Sequence, residues 1–378
     1  MTNGIRRLVA ALSVVAAAGH GLAAHAAELP VAILHAQTGA LAFVGVPAAQ
    51  GIRLAAEQIN ATHYLGNDTV RLIVADYASD KAQAITLLSR LAKQDEALIV
   101  LGPTGSIEGA ALAPVANELR VPMFSTAITA EVLKAGPWSF KITAAADGLM
   151  TALARYASQK GQCKRVVTVF NRDNDGHINN GRVFRDYVRA HGAEIVGEEG
   201  NLGTDSDFTA LATKVSYLAP DCLFISSNGA QGANIVVQLK QGGLSDQVKL
   251  FGVASMATRE YMASGGKAVE GTFMATDYNP SGASPQNRDF IEAYRQRFGA
   301  APDNWAAVGY TTMQLAALAI RNAGPNPDRE KVRLALTALK DVPVVLGTGQ
   351  FSLDADRYPI YGASVLTVRN GQIEAAGQ

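Results

Sequence analysis

The sequence predicts an α/β protein built as two doubly wound parallel-sheet lobes, and three features of its 378 residues predict it. Short apolar runs suited to buried strands alternate with stretches of helical periodicity, which calls for parallel sheets covered by helices on both faces. The alternation restarts after Phe140-Lys141-Ile142-Thr143, so two similar units are expected rather than one. A chain of this length also exceeds what a single hydrophobic core usually serves.

Taken in order, Pro30 to His35 reads as the first strand, and Ala48 to Asn60 as a helix with Ala48, Ile52, Ala55 and Ile59 on one face. Val70 to Ala75 is the next strand, and Ser79-Asp80 caps a helix that buries Ala84, Leu88 and Leu91. Ala97 to Leu101 is an apolar strand that empties into Gly102-Pro103-Thr104-Gly105-Ser106, where a helix begins. A short strand, Val121 to Phe124, then ends in Ser125-Thr126-Ala127-Ile128-Thr129. Two adjacent parallel strands place both loops at their carboxyl ends, and free N–H groups and hydroxyls there make a seat for a carboxylate.

The second set reads as a helix from Gly148 to Lys160, a strand from Val166 to Phe170, a loop from Asn171 to Asn179 and a helix to Ala190. Glu194 to Glu198 (strand), Phe208 to Leu218 (helix), Cys222 to Ser226 (strand) and a helix after Gly232 continue it. Strands at Lys249 to Gly252 and Gly271 to Ala275 close the group. Helices follow near Pro285 to Phe298, Asn304 to Ala323 and Asp328 to Leu339, and Asn370-Gly371 turns a hairpin between Tyr361 to Val368 and Ile373.

Arg6 and Arg7, the apolar run Leu8 to Ala18 and Ala24-His25-Ala26 fit a secretory leader over residues 1–26, so an exported, periplasmic product is expected. Without Arg6 and Arg7 the 33 basic residues become 31 against 33 acids, a net charge of −2 that argues against nucleic acid or anionic membranes as partners. Cys163 and Cys222 each precede an apolar strand. In an oxidising compartment they pair if those strands are neighbours, and otherwise remain two buried thiols.

Enzyme signatures are missing: there is no H-E-x-x-H, G-x-S-x-G, P-loop or G-x-G-x-x-G. His35, His63, His177 and His191 lack metal-ligand spacing, so neither metal nor cofactor is expected. His191 reads as a surface cap. His177, after Asp175-Gly176, reads as a solvated loop residue before it reads as a ligand contact.

The chain resembles the periplasmic solute-binding proteins of ABC transporters of the leucine/isoleucine/valine-binding type. The resemblance is carried by Thr38-Gly39, by Gly51-Ile52-Arg53-Leu54-Ala55-Ala56-Glu57-Gln58-Ile59-Asn60, and by Asp76 with Ala78-Ser79-Asp80. Gly102-Pro103 with Ser106, Ser125 to Thr129, Asp207-Phe208 with Leu211, and Ala307 with Gly309-Tyr310 continue it. The resemblance implies the type I periplasmic binding fold, with three hinge crossovers near Ile142-Thr143, Ala275 to Tyr278 and Gly349-Gln350. The first lobe would then hold 27–142 and 278–349, the second 143–277 and 350–378, closing on a ligand by hinge motion.

By the same resemblance Ser106 holds a ligand carboxylate together with Ala127 and Thr129, beside Thr104 and Gly105, and Phe43 is an apolar wall. The second lobe departs from the pattern. Asp175 stands where a Tyr is usual, Asn228 where an aromatic is common, and Val253-Ala254-Ser255-Met256 where an acid would pair with an ammonium. Asp175 then replaces that acid, or the ligand has no ammonium and is another carboxylate or amide, or Asp175 lies outside the cleft. The expectation is a non-enzymatic, monomeric receptor for a small carboxylate, an amino acid first, that delivers it to a membrane permease. A sensing subunit of a signalling system is the alternative.

Overall fold

The computed structural model describes residues 26–144, 146–282 and 284–376. The expected leader therefore lies outside the described residues but for its last position.

The first lobe is a five-stranded parallel sheet of β1 (Glu28–His35), β2 (Thr69–Asp76), β3 (Ile99–Leu101), β4 (Met123–Ser125) and β5 (Ser139–Lys141), in the order β2-β1-β3-β4-β5. Its helices are α1 (Ala42–Ala61), α2 (Lys81–Lys93), α3 (Ser106–Glu118) and the short α4 (Glu131–Lys134). Asp80 caps α2 by accepting from the Gln83 N–H, as its sequence position implied. Ala84, Leu88 and Leu91 are fully buried beneath it.

In the second lobe α5 (Ala146–Gln159), β6 (Arg165–Asn171), α6 (Asp175–Ala190), β7 (Glu194–Asn201), α7 (Thr209–Leu218), β8 (Cys222–Ser226), α8 (Gly229–Gln241) and β9 (Lys249–Gly252) repeat the alternation. After α9 (Arg259–Gly265) and β10 (Phe273–Thr276), three helices follow: α10 (Pro285–Phe298), α11 (Asn304–Asn322) and α12 (Arg329–Thr337). The chain ends with β11 (Val342–Pro343), β12 (Gln350–Leu353), β13 (Pro359–Ile360), β14 (Ser364–Arg369) and β15 (Gln372–Ala375). The second sheet runs β15-β14-β10-β9-β8-β6-β7, parallel except for the final hairpin.

Helices α10 to α12 pack on the first lobe. Arg297 forms a two-pronged pair with Glu57, the Tyr310 hydroxyl donates to Gln58, and Arg329 donates to the carbonyls of Ala92 and Ala97. Helices α1 and α11 touch backbone to backbone: a Cβ on Gly51 would lie 2.1 Å from the Ala306 carbonyl oxygen, and one on Gly309 2.0 Å from that of Ala48. Only glycine at both positions allows the approach, so this pair of the matched motif residues is a packing requirement.

Three passages join the lobes and are tied together. The Tyr361 hydroxyl lies 2.8 Å from the Ile142 carbonyl, against the Asp277 carboxyl, and accepts from the Ala144 N–H at 2.5 Å. The third passage comes later than Gly349-Gln350. Strand β12 pairs with β11 and β13, and Arg357 donates to the carbonyls of Leu133 and Gly136, which hold the chain on the first lobe until Ile360. Short strands with this ladder were not distinguishable in the sequence from a passage between lobes.

Helices α4 and α9 were not expected, β7 runs on to Asn201, and other differences lie at element starts. Helix α1 begins at Ala42 rather than Ala48, and α8 at Gly229. Helix α6 begins at Asp175 rather than beyond Asn179, because the Asn174 side chain accepts from the N–H groups of Gly176 and His177 and caps the helix there. Cys163 and Cys222 form a disulfide, their Cα atoms 5.7 Å apart, since β6 and β8 are neighbours and Val166 is the partner of Cys222.

Candidate functional site

The strand order explains where the site lies. In a sheet ordered 2-1-3-4-5 the ligand crevice opens at the carboxyl ends of the two strands where the order reverses. The first lobe has that point between β1 and β3, and the second, ordered β7-β6-β8-β9-β10, has it between β6 and β8.

A buried histidine joins the loops at each point. His35, at the end of β1, has Nδ1 2.9 Å from Oγ1 of Thr104 in the loop after β3, and Thr104 also accepts from the Ala36 N–H. His177, in the first turn of α6, has Nδ1 2.9 Å from Ser226 Oγ and Nε2 3.4 Å from Asn228 Oδ1. Burial holds both rings down at about pKa 4, so they are neutral imidazoles at neutral pH.

The two points face each other across a small cavity of about 40 Å³. Phe43, Thr104, Gly105, Ser106 and Trp305 line it from the first lobe, and Asn174, His177, Asn228 and Ser255 from the second. The lobes are closed here, with a Cβ on Gly176 coming within 3.1 Å of Ser106 Oγ. A ligand larger than a few atoms enters with the lobes further apart.

Six of the nine residues expected from the sequence meet at this cavity: Phe43, Thr104, Gly105, Ser106, Asn228 and Ser255. Phe43 is partly buried, as an apolar wall should be. The Ser255 hydroxyl donates to the Ser227 carbonyl at 2.7 Å. Ala127, Thr129 and Asp175 are elsewhere. The Ala127 N–H donates to Ser125 Oγ, so it is not free for a ligand carboxylate, and its carbonyl accepts from Thr143. Thr129 Oγ1 accepts from the Glu131 N–H, while its own N–H donates to Ser106 Oγ. Thr129 and Asp175 line a neighbouring pocket of about 440 Å³ at the cleft rim, with Lys141 and Arg182. Asp175 is exposed in the first turn of α6, where a carboxylate favours the helix terminus. It does not replace the missing acid inside the cavity.

His177 corrects the sequence reading most. It is 3 % exposed rather than solvated, because the early start of α6 turns it inward. His191 is the surface cap expected, its Nδ1 2.8 Å from the Tyr187 carbonyl. Asn174 and Trp305 were not singled out. The signal for Asn174 was its Asn-Asp-Gly setting after a strand, but Trp305 reaches the cavity only through the packing of α11 on α1.

The buried histidines give a pH dependence. Below pH 6.5 the unfolded chain protonates His177 while the folded chain stays neutral down to about pH 4, so stability is lost as pH falls through that window. Asp303, pushed up to about 6 by desolvation, acts in the opposite sense, so the informative quantity is a difference between proteins. His177→Gln should remove about 3 kcal/mol of the change in unfolding free energy between pH 6.5 and 4, read from urea titrations of both proteins. An unchanged pH slope would mean that His177 is not held neutral.

The sequence profile of the periplasmic binding protein family matches residues 28–372. An amino acid binding protein of Pseudomonas aeruginosa is 25 % identical over 89 % of each chain. The solved structure of the branched-chain amino acid transporter substrate-binding protein LivJ from Streptococcus pneumoniae, in complex with isoleucine, superposes with a TM-score of 0.86 at 24 % identity, over 92 % of this chain and 98 % of that one. A solute-binding protein of an ABC transporter from Rhodopseudomonas palustris, in complex with benzoate, superposes with a TM-score of 0.82 at 20 % identity, over 93 % and 96 %. With two doubly wound lobes, a cavity at both switch points and this match over most of its length, the chain belongs to the periplasmic binding protein family, shares the type I fold of its leucine/isoleucine/valine-binding members, and is a binding protein, not an enzyme.

Proposed function

We propose that the protein is the solute-binding component of an ABC importer: it works in the periplasm as a monomer, takes up a small carboxylate-bearing solute between its lobes and presents the closed form to a membrane permease. The observation that carries this reading is the small cavity where the N-terminus of α3 and the Ser106 hydroxyl meet the second lobe. Neutral donors beside a helix N-terminus hold an anion without the desolvation cost of a buried cation, and they release it when the lobes part. A micromolar dissociation constant requires about 8 kcal/mol, within reach of a few charge-assisted hydrogen bonds and apolar burial against Phe43 and Trp305. The fold accommodates isoleucine in one relative and benzoate in another.

A thermal-shift screen against amino acids, short-chain acids, aromatic acids and amides tests the reading, since a ligand that binds only the folded state raises its melting temperature. Ser106→Ala is expected to weaken the binding of the responding acid at least tenfold. Thr129→Ala and Asp175→Ala, at the rim, should change it less than threefold. Tighter dependence on the rim residues than on Ser106 would place the carboxylate elsewhere and overturn the proposal.

A further inference from the structure

Resting on the carboxylate reading above, we infer that the ligand carries no ammonium group: the cavity suits an acid whose second polar group, where it has one, is an oxygen, as in 2-hydroxy, 2-oxo and aromatic acids. The first observation is Trp305. It lines the cavity at 2 % exposure, and its Nε1 has no acceptor among the described residues. An indole N–H only donates, and so does an ammonium, so the ligand group that meets Trp305 Nε1 is an oxygen, of the carboxylate or of a second polar group, and not an ammonium.

The second observation is the set of helices that open onto the same space. The N-cap residues of α3, α6 and α8, which are Gly105, Asn174 and Asn228, all line the cavity. Asn174 caps its own helix and Asn228 leaves α8 without a side-chain cap, while in α3 the Glu108 carboxyl of the first turn accepts from its own N–H. Glu108 and Asp175 offset the positive ends of α3 and α6 in their first turns, but α8 has no acid there, so its end beside Asn228 favours an anion over a cation.

The third is where the acids are. Asp175 is exposed at the rim, Asp173 accepts from the Gly203 N–H outside the cavity, and Asp303 caps α11 by accepting from Ala306. Glu108 lies behind Gly105, beside Tyr77, and does not line the cavity. The side chains that do line it from the second lobe are neutral: His177, Asn228, Asn174 and Ser255. Burial that disfavours an imidazolium at His177 disfavours a ligand ammonium beside it for the same reason. The residues that decide specificity are thus Trp305, His177 and Asn228.

The test is isothermal titration of the purified protein with acids matched in carbon skeleton: leucine, its 2-hydroxy and its 2-oxo analogue; phenylalanine with its two analogues; alanine, lactate and pyruvate; and benzoate. For any skeleton that binds, the oxygen analogue is expected to bind at least a hundredfold more tightly than the amino acid. Trp305→Phe, which keeps a ring and removes the donor, should weaken the preferred acid at least tenfold. Asn228→Asp, measured at pH 8, should shift the preference toward the amino acid by at least tenfold. An amino acid that binds the parent protein as tightly as its oxygen analogues overturns the inference and leaves the carboxylate reading intact. If no acid in the panel binds, both fall.

Discussion

Gly51→Ala is expected to destabilise the protein by more than about 3 kcal/mol and to impair ligand binding with it. The added methyl would sit 2.1 Å from the Ala306 carbonyl and 2.7 Å from the Tyr310 N, both backbone atoms of α11, so no side chain can turn aside to make room. The two helices must separate instead, and their packing spans the largest apolar cluster, in which Ile52, Ala55 and Ile59 of α1 lie with Ala306, Ala307 and Met313 of α11. Trp305 is in the first turn of α11, so the displacement passes directly to the wall of the cavity. Gly309→Ala should behave alike, since its methyl would lie 2.0 Å from the Ala48 carbonyl. Gly148→Ala is the control: among the described residues no atom beyond its own helix backbone and chain neighbours lies within 4 Å of its added methyl, and alanine in a helix is favoured over glycine by about 1 kcal/mol. Urea unfolding of the three variants checks the ranking. A Gly51→Ala protein within 1 kcal/mol of the parent would show that α1 and α11 do not approach so closely.

Replacing Cys163 and Cys222 by serine is the second large effect, an expected loss of about 4 kcal/mol. The bond closes a loop of 59 residues, and the entropy it removes from the unfolded chain sets that magnitude. Its location gives a second expectation. Cys222 begins β8 and Cys163 precedes β6, so the bond lies at the opposite end of these strands from His177 and Asn228. Ligand affinity measured well below the melting temperature should change less than threefold, while the melting temperature falls by several degrees. A disulfide-free protein as stable as the parent, or one that folds but no longer binds, would contradict that division between stability and function.

The contrast between the two lobes shows how far the sequence could be read. Most of the strand and helix order, though not α4, α9 or β11 to β13, was legible because buried parallel strands are short apolar runs and the helices between them keep their period: Cys222–Ser226, Lys249–Gly252 and Pro285–Phe298 stand where the sequence put them. The loop after β3 was legible for the same reason, as hydroxyls and small residues leaving an apolar strand. What was not legible depended on contacts between distant segments. Ala127 and Thr129 have the right residue types, yet their backbone groups are engaged by Ser125, Thr143 and Ser106. His177 became a cavity residue because Asn174 caps α6 early, and a cap and a loop share the same Asn-Asp-Gly composition. Trp305 is placed by a crossing of glycines far apart in the chain, and Asp175 was credited with a role that its exposure at the rim removes.

The account centres on an acid held at the start of α3 by neutral donors. Determining the structure of the protein with its preferred acid bound tests this most directly. The carboxylate oxygens are expected within hydrogen-bonding distance of Ser106 Oγ and of backbone N–H groups at the start of α3, with a ligand oxygen on Trp305 Nε1. A ligand found instead in the rim pocket, against Thr129 and Asp175, would contradict it.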